Sequence, residues 1–193
     1  ANGLVEDTGR RSVVVTRFDR DLFRSIYDYR TIIEPFAVKL AGKHLTGSDR
    51  KRADKVLQAG ERALSRNKLG ELVRADMMFH EMIYAWSNNQ VIETSMRNNW
   101  HHIRRSMAEV LRDPSAIIPV WQQHTEIVET LFAGDTEAAA KMMEQHIGNS
   151  YDSIINAAEH PSPKSATIGK ASTTGQLPTA RLGDAGKADL NVG

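Results

Sequence analysis

From Asp19 onward, apolar residues recur at the i, i+3, i+4, i+7 spacing of one face of an α-helix. Leu22, Ile26, Tyr29, Ile33, Phe36, Ala37 and Leu40 form the first such stripe, and Pro35 inside it predicts a kink or a split. Thr46-Gly47-Ser48 ends this helix and caps a second, striped by Ala53, Val56, Leu57, Ala63 and Leu64. A third runs from about Leu69 to Trp86 and stops at Ser87-Asn88-Asn89. Ile92, Met96, Ile103, Met107 and Val110 mark a fourth, which Asp113-Pro114 separates from the next. The fifth carries Ile117, Val120, Trp121, Ile127, Val128, Leu131 and Phe132, and Gly134-Asp135 ends it and caps a sixth with Ala138, Met142, Met143, Ile147 and Ile154. No strand pattern falls between Asp19 and His160, so the body reads as all-α, an antiparallel bundle of about six helices.

The two ends read differently. Leu4-Val5 and Val13-Val14-Val15 are short β-prone runs around an Asp-Thr-Gly turn signal, which predicts a hairpin. A lone ribbon is marginal in water, so it has the look of a remnant of a larger unit. After His160 the chain turns to Pro, Ser, Thr, Gly, Ala and Lys without periodicity, the composition of a flexible tail. Three segments follow: a remnant over 1–16, a helical domain over 19–160 and a tail over 161–193.

Composition narrows the classes. With 193 residues, 40% hydrophobic and 25% charged, the chain suits one soluble globular domain with appendages. A net charge of +1 gives no bulk electrostatic drive toward nucleic acid or a membrane. The chain has no cysteine, which excludes disulfides and thiolate metal ligands and fits a cytoplasmic protein. No apolar run has membrane-spanning length and no signal-peptide pattern opens the chain.

Four polar residues interrupt the apolar seams. Asp76 and His80 stand one helical turn apart among Leu69, Leu72, Val73, Met77, Ile83 and Tyr84. His124 is central to the fifth stripe and His146 lies within the sixth. Such groups are costly in an apolar seam unless something compensates them. A single histidine on an apolar face is more often a core residue bonded to a carbonyl. Three of them, with the one acid read as inward-facing, favour a shared polar site, and one carboxylate with three imidazoles suits a divalent transition metal: Zn, Ni, Mn or Fe, with Zn or Ni favoured. His44, His101, His102 and His160 sit at helix ends or off the main stripes. Arg30 at the border of the first arc, Asn99 on the fourth helix and Asn149 and Ser150 on the sixth could line a wet cavity beside the metal and receive a carboxylate.

No catalytic residue is assigned. His80-Glu81 lacks the second histidine of a zinc-protease motif, the Glu-x-x-His pairs of di-iron bundles are missing, and no Gly-rich phosphate loop or elbow serine occurs. The competing enzymatic reading is a mononuclear hydrolase or dioxygenase on a helical bundle, and the third is a structural bundle whose histidines bond internally.

Tyr29-Arg30-x-x-Ile33-Glu34-Pro35, Asp76-x-x-Phe79-His80 with Asn89 nine residues on, His124-x-x-Ile127-Val128, Gly134-Asp135-x-x-x-Ala139 and Met143-x-x-His146-Ile147 together resemble the FCD ligand-binding domain, the effector domain of FadR-type GntR transcription regulators. The resemblance covers roughly residues 20–150. It implies a metal held by Asp76, His80, His124 and His146, a carboxylate effector helped by Arg30, and a non-enzymatic homodimer that modulates operator binding, as a repressor or otherwise. Gly3-Leu4-Val5-Glu6, Gly9-Arg10-Arg11 and Val13-Val14-Val15 resemble the wing that closes a winged helix-turn-helix domain. Arg10 and Arg11 would then touch DNA only in an intact protein that carries the rest of that domain.

Overall fold

A computed structural model of the chain describes residues 5–7, 13–15, 20–110 and 114–159, with side chains over 20–104 and 118–156. Six helices make up the body: α1 (Arg20–Ala41), α2 (Gly47–Ser65), α3 (Leu69–Trp86), α4 (Gln90–Val110), α5 (Pro114–Phe132) and α6 (Thr136–Glu159). Ahead of them, β1 (Val5–Asp7) and β2 (Val13–Val15) pair antiparallel, with Val5 opposite Val15. The expected hairpin and six-helix all-α bundle are both present. Arg10, Arg11 and the tail at 161–193 lie outside the described residues.

The helix ends follow local chemistry. Thr46 N–H donates to the Asp49 carboxylate at 2.9 Å at the start of α2. Asn88 takes a left-handed φ of 50° between α3 and α4, and Asn89 Oδ1 accepts the amide of Val91 at 3.1 Å to start the next helix. Gly134, with φ of 91°, turns the chain out of α5, and Asp135 Oδ1 accepts the amide of Ala138 at 3.0 Å to cap α6.

The first helix departs from expectation twice. Pro35 does not split α1, which runs 22 residues without a break. An internal proline removes one helical hydrogen bond and costs about 3 kcal/mol. Burial of Phe23, Ile26 and Tyr27 before it, and of Ala37, Val38 and Ala41 after it, holds both halves against the core and outweighs that loss. The buried arc is also rotated from the expected stripe. Leu22, Tyr29 and Phe36 are exposed, while Arg30 and Glu34 are 1% and 0% exposed and point inward.

Helix α3 packs against α1, α2 and α4, and α6 packs against α1, α4 and α5, so one core runs through the bundle. Glycine at position 60 leaves room on α2 for a side chain of α5. A Cβ there would lie 1.7 Å from Cζ2 of Trp121. The indole lies against the helix in that space and donates Nε1–H to the carbonyl of Leu57 at 3.2 Å. This seat fixes α5, and with it His124 one turn on, whose ring meets Trp121 edge-on at 4.9 Å.

Gly60→Ala should therefore destabilise the fold by about 1–3 kcal/mol through overpacking, against the ~1 kcal/mol that alanine offers in helix propensity. Urea unfolding followed by tryptophan fluorescence checks this. A midpoint equal to or above that of the parent would mean that Trp121 is not seated on α2.

Candidate metal and effector site

Asp76 and His80 project from α3 into the core, 2% and 0% exposed. His124 from α5 and His146 from α6 meet them there, 0% and 1% exposed. Nε2 of His124 lies 3.1 Å from Nε2 of His146 and 3.5 Å from Oδ1 of Asp76. Nε2 of His80 lies 4.0 Å from Oδ2 of Asp76. One ring nitrogen from each histidine falls within 4.8 Å of the other two. Phe79, buried between Met78 and His80 on α3, stacks on His124 with ring centroids 3.9 Å apart and planes 19° apart. It is core packing, and it also holds a candidate ligand flat.

The rings are held from behind. Nδ1 of His146 meets Oε1 of Gln123 at 3.0 Å, and Nδ1 of His80 meets Oε2 of Glu34 at 2.6 Å. Arg30 Nε donates to Oε1 of the same glutamate at 2.6 Å, and its Nη2 lies 3.5 Å from Nε2 of His80. Asp76 is therefore not the one inward acid. Glu34 is a second, more deeply buried; the sequence shows it only as a member of the Tyr29–Pro35 motif, and Gln123 not at all. An i, i+4 Arg–Glu pair is ordinarily a solvated helix face, and a glutamine beside a core histidine carries no periodic signal.

Electrostatics sort the groups. Burial alone would raise Glu34, but the Arg30 guanidinium and the hydrogen bonds from His80 and Arg30 hold its carboxyl well below the usual range. Asp76 is pushed up by burial, partly offset by His80 and Arg30. Burial foremost, with positive neighbours adding, drives His124 and His146 well below the ordinary imidazole range. Neutral imidazole is the form that binds a metal.

The residues fit such an ion. Two imidazole nitrogens on one tetrahedral zinc stand about 3.3 Å apart, given Zn–N distances near 2.0–2.1 Å. The His124–His146 separation of 3.1 Å is close to that. Oδ2 of Asp76 is a buried oxygen with no hydrogen-bond partner beside these rings. Three buried histidines can thus hold a metal ion, with Asp76 adjacent to two of them.

More orphaned polar atoms surround Arg30 and His80. Nη1 of Arg30, Oη of Tyr27 and Nε1 of Trp100 are buried without a hydrogen-bond partner, and the Tyr84 hydroxyl turns toward Glu34. The guanidinium carbon lies 4.7 Å from the Tyr27 ring centroid and 5.7 Å from that of Trp100, and the Trp100 ring lies 5.5 Å from that of His80. Burial pushes the Tyr27 hydroxyl up to about 12, so it stays a donor. Among the other expected effector contacts, Ser150 is buried one turn beyond His146, whereas Asn149 is exposed. Asn99 is half-buried and spends its amide on the Ser95 carbonyl at 3.0 Å.

The buried imidazoles give a pH signature. Their folded values lie below the unfolded value of 6.5, so their contribution is present above pH 6.5 and is lost as pH falls below it. Asp76 acts in the opposite sense, losing stability as pH rises from about 3.8. Melting temperatures of chelator-treated protein should fall between pH 7.5 and 5.5, with net proton uptake on unfolding as the two imidazoles outweigh Asp76. A flat or rising profile over that interval would mean that the two rings are not buried as neutral imidazoles.

With this geometry in hand, comparison with known proteins is consistent. The FCD domain family model matches residues 25–149. No curated protein matches by sequence. Among solved structures, Escherichia coli McbR/YncC superposes with a TM-score of 0.73 at 15% identity, over 81% of this chain and 75% of that one. A GntR transcriptional regulator from Rhodococcus sp. RHA1 gives 0.69 at 22% identity, over 81% and 74%. Lar, which controls the agr system in Listeria monocytogenes, gives 0.65 at 15% identity, over 80% and 74%. These similarities establish a shared fold, and the family match spans the helices that carry all four candidate ligands and Arg30: the chain belongs to the FCD domain family.

Proposed function

We propose that the chain is the effector-sensing domain of a GntR-type transcription regulator, in which a divalent metal on Asp76, His80, His124 and His146 helps to bind a small organic or sugar acid. The observation that carries this reading is the set of buried, unpartnered donors beside the histidine cluster. Arg30 Nη1, Tyr27 Oη and Trp100 Nε1 each lack an acceptor. A buried donor left unpaired costs about 1–3 kcal/mol, so several gathered around one guanidinium call for an oxygen-rich guest. A carboxylate with further oxygens supplies acceptors to these donors, and its charge suits Arg30. Ser150 adds a hydroxyl on the same side of α6 as His146. The metal, when bound, supplies a Lewis-acidic centre for the acid's oxygens, and three imidazoles favour Zn or Ni.

Regulation in this reading is a population shift. An acid that binds one bundle geometry better than another biases the attached DNA-binding domains by no more than its differential affinity. Operator symmetry favours a homodimer. The β1–β2 ribbon is assigned to the wing of a winged helix-turn-helix domain, which places Arg10 and Arg11 toward DNA in the intact protein. Among the described residues no helix is long and apolar enough to cross a membrane.

Elemental analysis of protein purified without chelator should show about one transition metal per chain, lost in His146→Ala. Small carboxylic acids should then raise the melting temperature, and EDTA should diminish the effect. Saturation at a hundredfold excess over Kd stabilises by about 2.7 kcal/mol. Absence of metal under replete conditions would sink the metal assignment. Turnover of a stabilising acid would replace sensing by catalysis.

A further inference from the structure

We infer that Glu34, clamped by Arg30, fixes the tautomer of His80 and thereby makes Nε2 the nitrogen that faces the metal position. The inference rests on the metal reading only for its affinity consequence. Both nitrogens of the ring face groups of fixed polarity. Nδ1 lies 2.6 Å from Oε2 of Glu34, and an ionised carboxylate only accepts. Nε2 lies 3.5 Å from Nη2 of Arg30, and a guanidinium only donates. A neutral ring between them carries its proton on Nδ1 and its lone pair on Nε2, the nitrogen that lies 4.0 Å from Oδ2 of Asp76. Glu34 performs this through two separate oxygens. Oε1 receives Arg30 Nε–H at 2.6 Å while Oε2 receives His80 Nδ1–H, and all three side chains are at most 1% exposed. Glu34 is thus a positioning residue: it acts through His80.

A glutamine at this position can accept on one atom only. Arg30 cannot give up its proton, so it takes the amide oxygen, and the amide NH2 turns toward Nδ1 of His80. Arg30 Nη2 also faces the ring as a donor, but at 3.5 Å, so the nearer amide decides: the ring accepts on Nδ1 and carries its proton on Nε2, where it blocks the metal position. Removing Arg30 as well frees the amide oxygen for His80 and returns the proton to Nδ1. A charge pair that merely stabilised the fold would give neither the inversion nor its reversal.

The test compares the parent, Glu34→Gln and Arg30→Met/Glu34→Gln, each metal-free and checked for helicity. Two-bond proton–nitrogen correlations read the His80 tautomer, with the ring assigned by its contacts to Phe79 and Trp100. Zinc affinity is read separately by competition with a chromophoric chelator. The parent and the double variant should show Nδ1–H and Glu34→Gln should show Nε2–H. Zinc binding should weaken on the order of 10- to 100-fold in Glu34→Gln, the usual effect of losing a group that orients a ligand, and recover in the double variant. Nδ1–H retained in Glu34→Gln, or an inverted ring with unchanged zinc affinity, overturns the inference. Should Glu34→Gln fail to fold, Arg30→Met/Glu34→Ala replaces it. There His80 should sample both tautomers and bind zinc more weakly, and a ring that keeps Nδ1–H alone overturns the inference. A parent that takes up no zinc sinks the metal reading instead, while the tautomer still decides the role of Glu34.

Discussion

The bundle has to bury an arginine, two carboxylates and three imidazoles in a core otherwise made of aliphatic and aromatic side chains. A lone ion in such a place costs several kcal/mol, so each must be neutralised, paired or made neutral by its surroundings. Pairing and neutrality both occur within a few ångströms. Arg30 and Glu34 pair directly, His124 and His146 stay neutral, and Asp76 is left with one oxygen unpartnered. The Glu34 carboxylate is closed by its own hydrogen bonds, whereas Arg30 Nη1 and Oδ2 of Asp76 are not. That asymmetry separates a support from a site. Glu34 has both oxygens engaged, while Oδ2 of Asp76 and Nη1 of Arg30 have capacity to spare.

How much of this the sequence discloses depends on how each helix advertises its inner face. On α3, α5 and α6 the inward arc is lined by large apolar residues, so Asp76, His80, His124 and His146 stand out as interruptions. On α1 the reading goes astray because the helix carries two apolar arcs. The inward one begins with Phe23, Ile26 and Tyr27, and the outward one is as bulky, with Leu22 41%, Tyr29 37%, Ile32 74% and Phe36 48% exposed. The inward one includes Ala37, Val38 and Ala41, whose small side chains let α1 approach its neighbours closely. The expected stripe mixes the two, taking Leu22, Tyr29 and Phe36 from the outer arc and Ile26 and Ala37 from the inner, so it sets Arg30 at a border and leaves Glu34 out. Their burial depends on partners contributed by α3 and α4, and a single-helix pattern contains no such information.

Proline 35 teaches a related lesson. Local propensity counts one lost hydrogen bond, but the helix continues because its two halves are buried on the same side. The adjacent Glu34 is held at both oxygens, which ties the backbone just before the proline to α3. Glycine 60 runs the other way: a residue that weakens a helix in isolation is the one that admits the Trp121 indole. In both cases tertiary contact decides against local preference.

The connectivity of the core then bears on signalling. The candidate ligands come from α3, α5 and α6, and α1 joins them through Glu34 and Arg30 rather than through a ligand of its own. A guest that recruits the guanidinium would act on α1 and on the His80 ring together, because both hang on one carboxylate. Helix α1 is also the element that follows the β1–β2 ribbon in sequence. A change in effector occupancy therefore has a short covalent and hydrogen-bonded route to the segment that leads toward DNA in the proposed regulator. The size of any response along it is bounded by how differently the guest binds the two settings of Arg30.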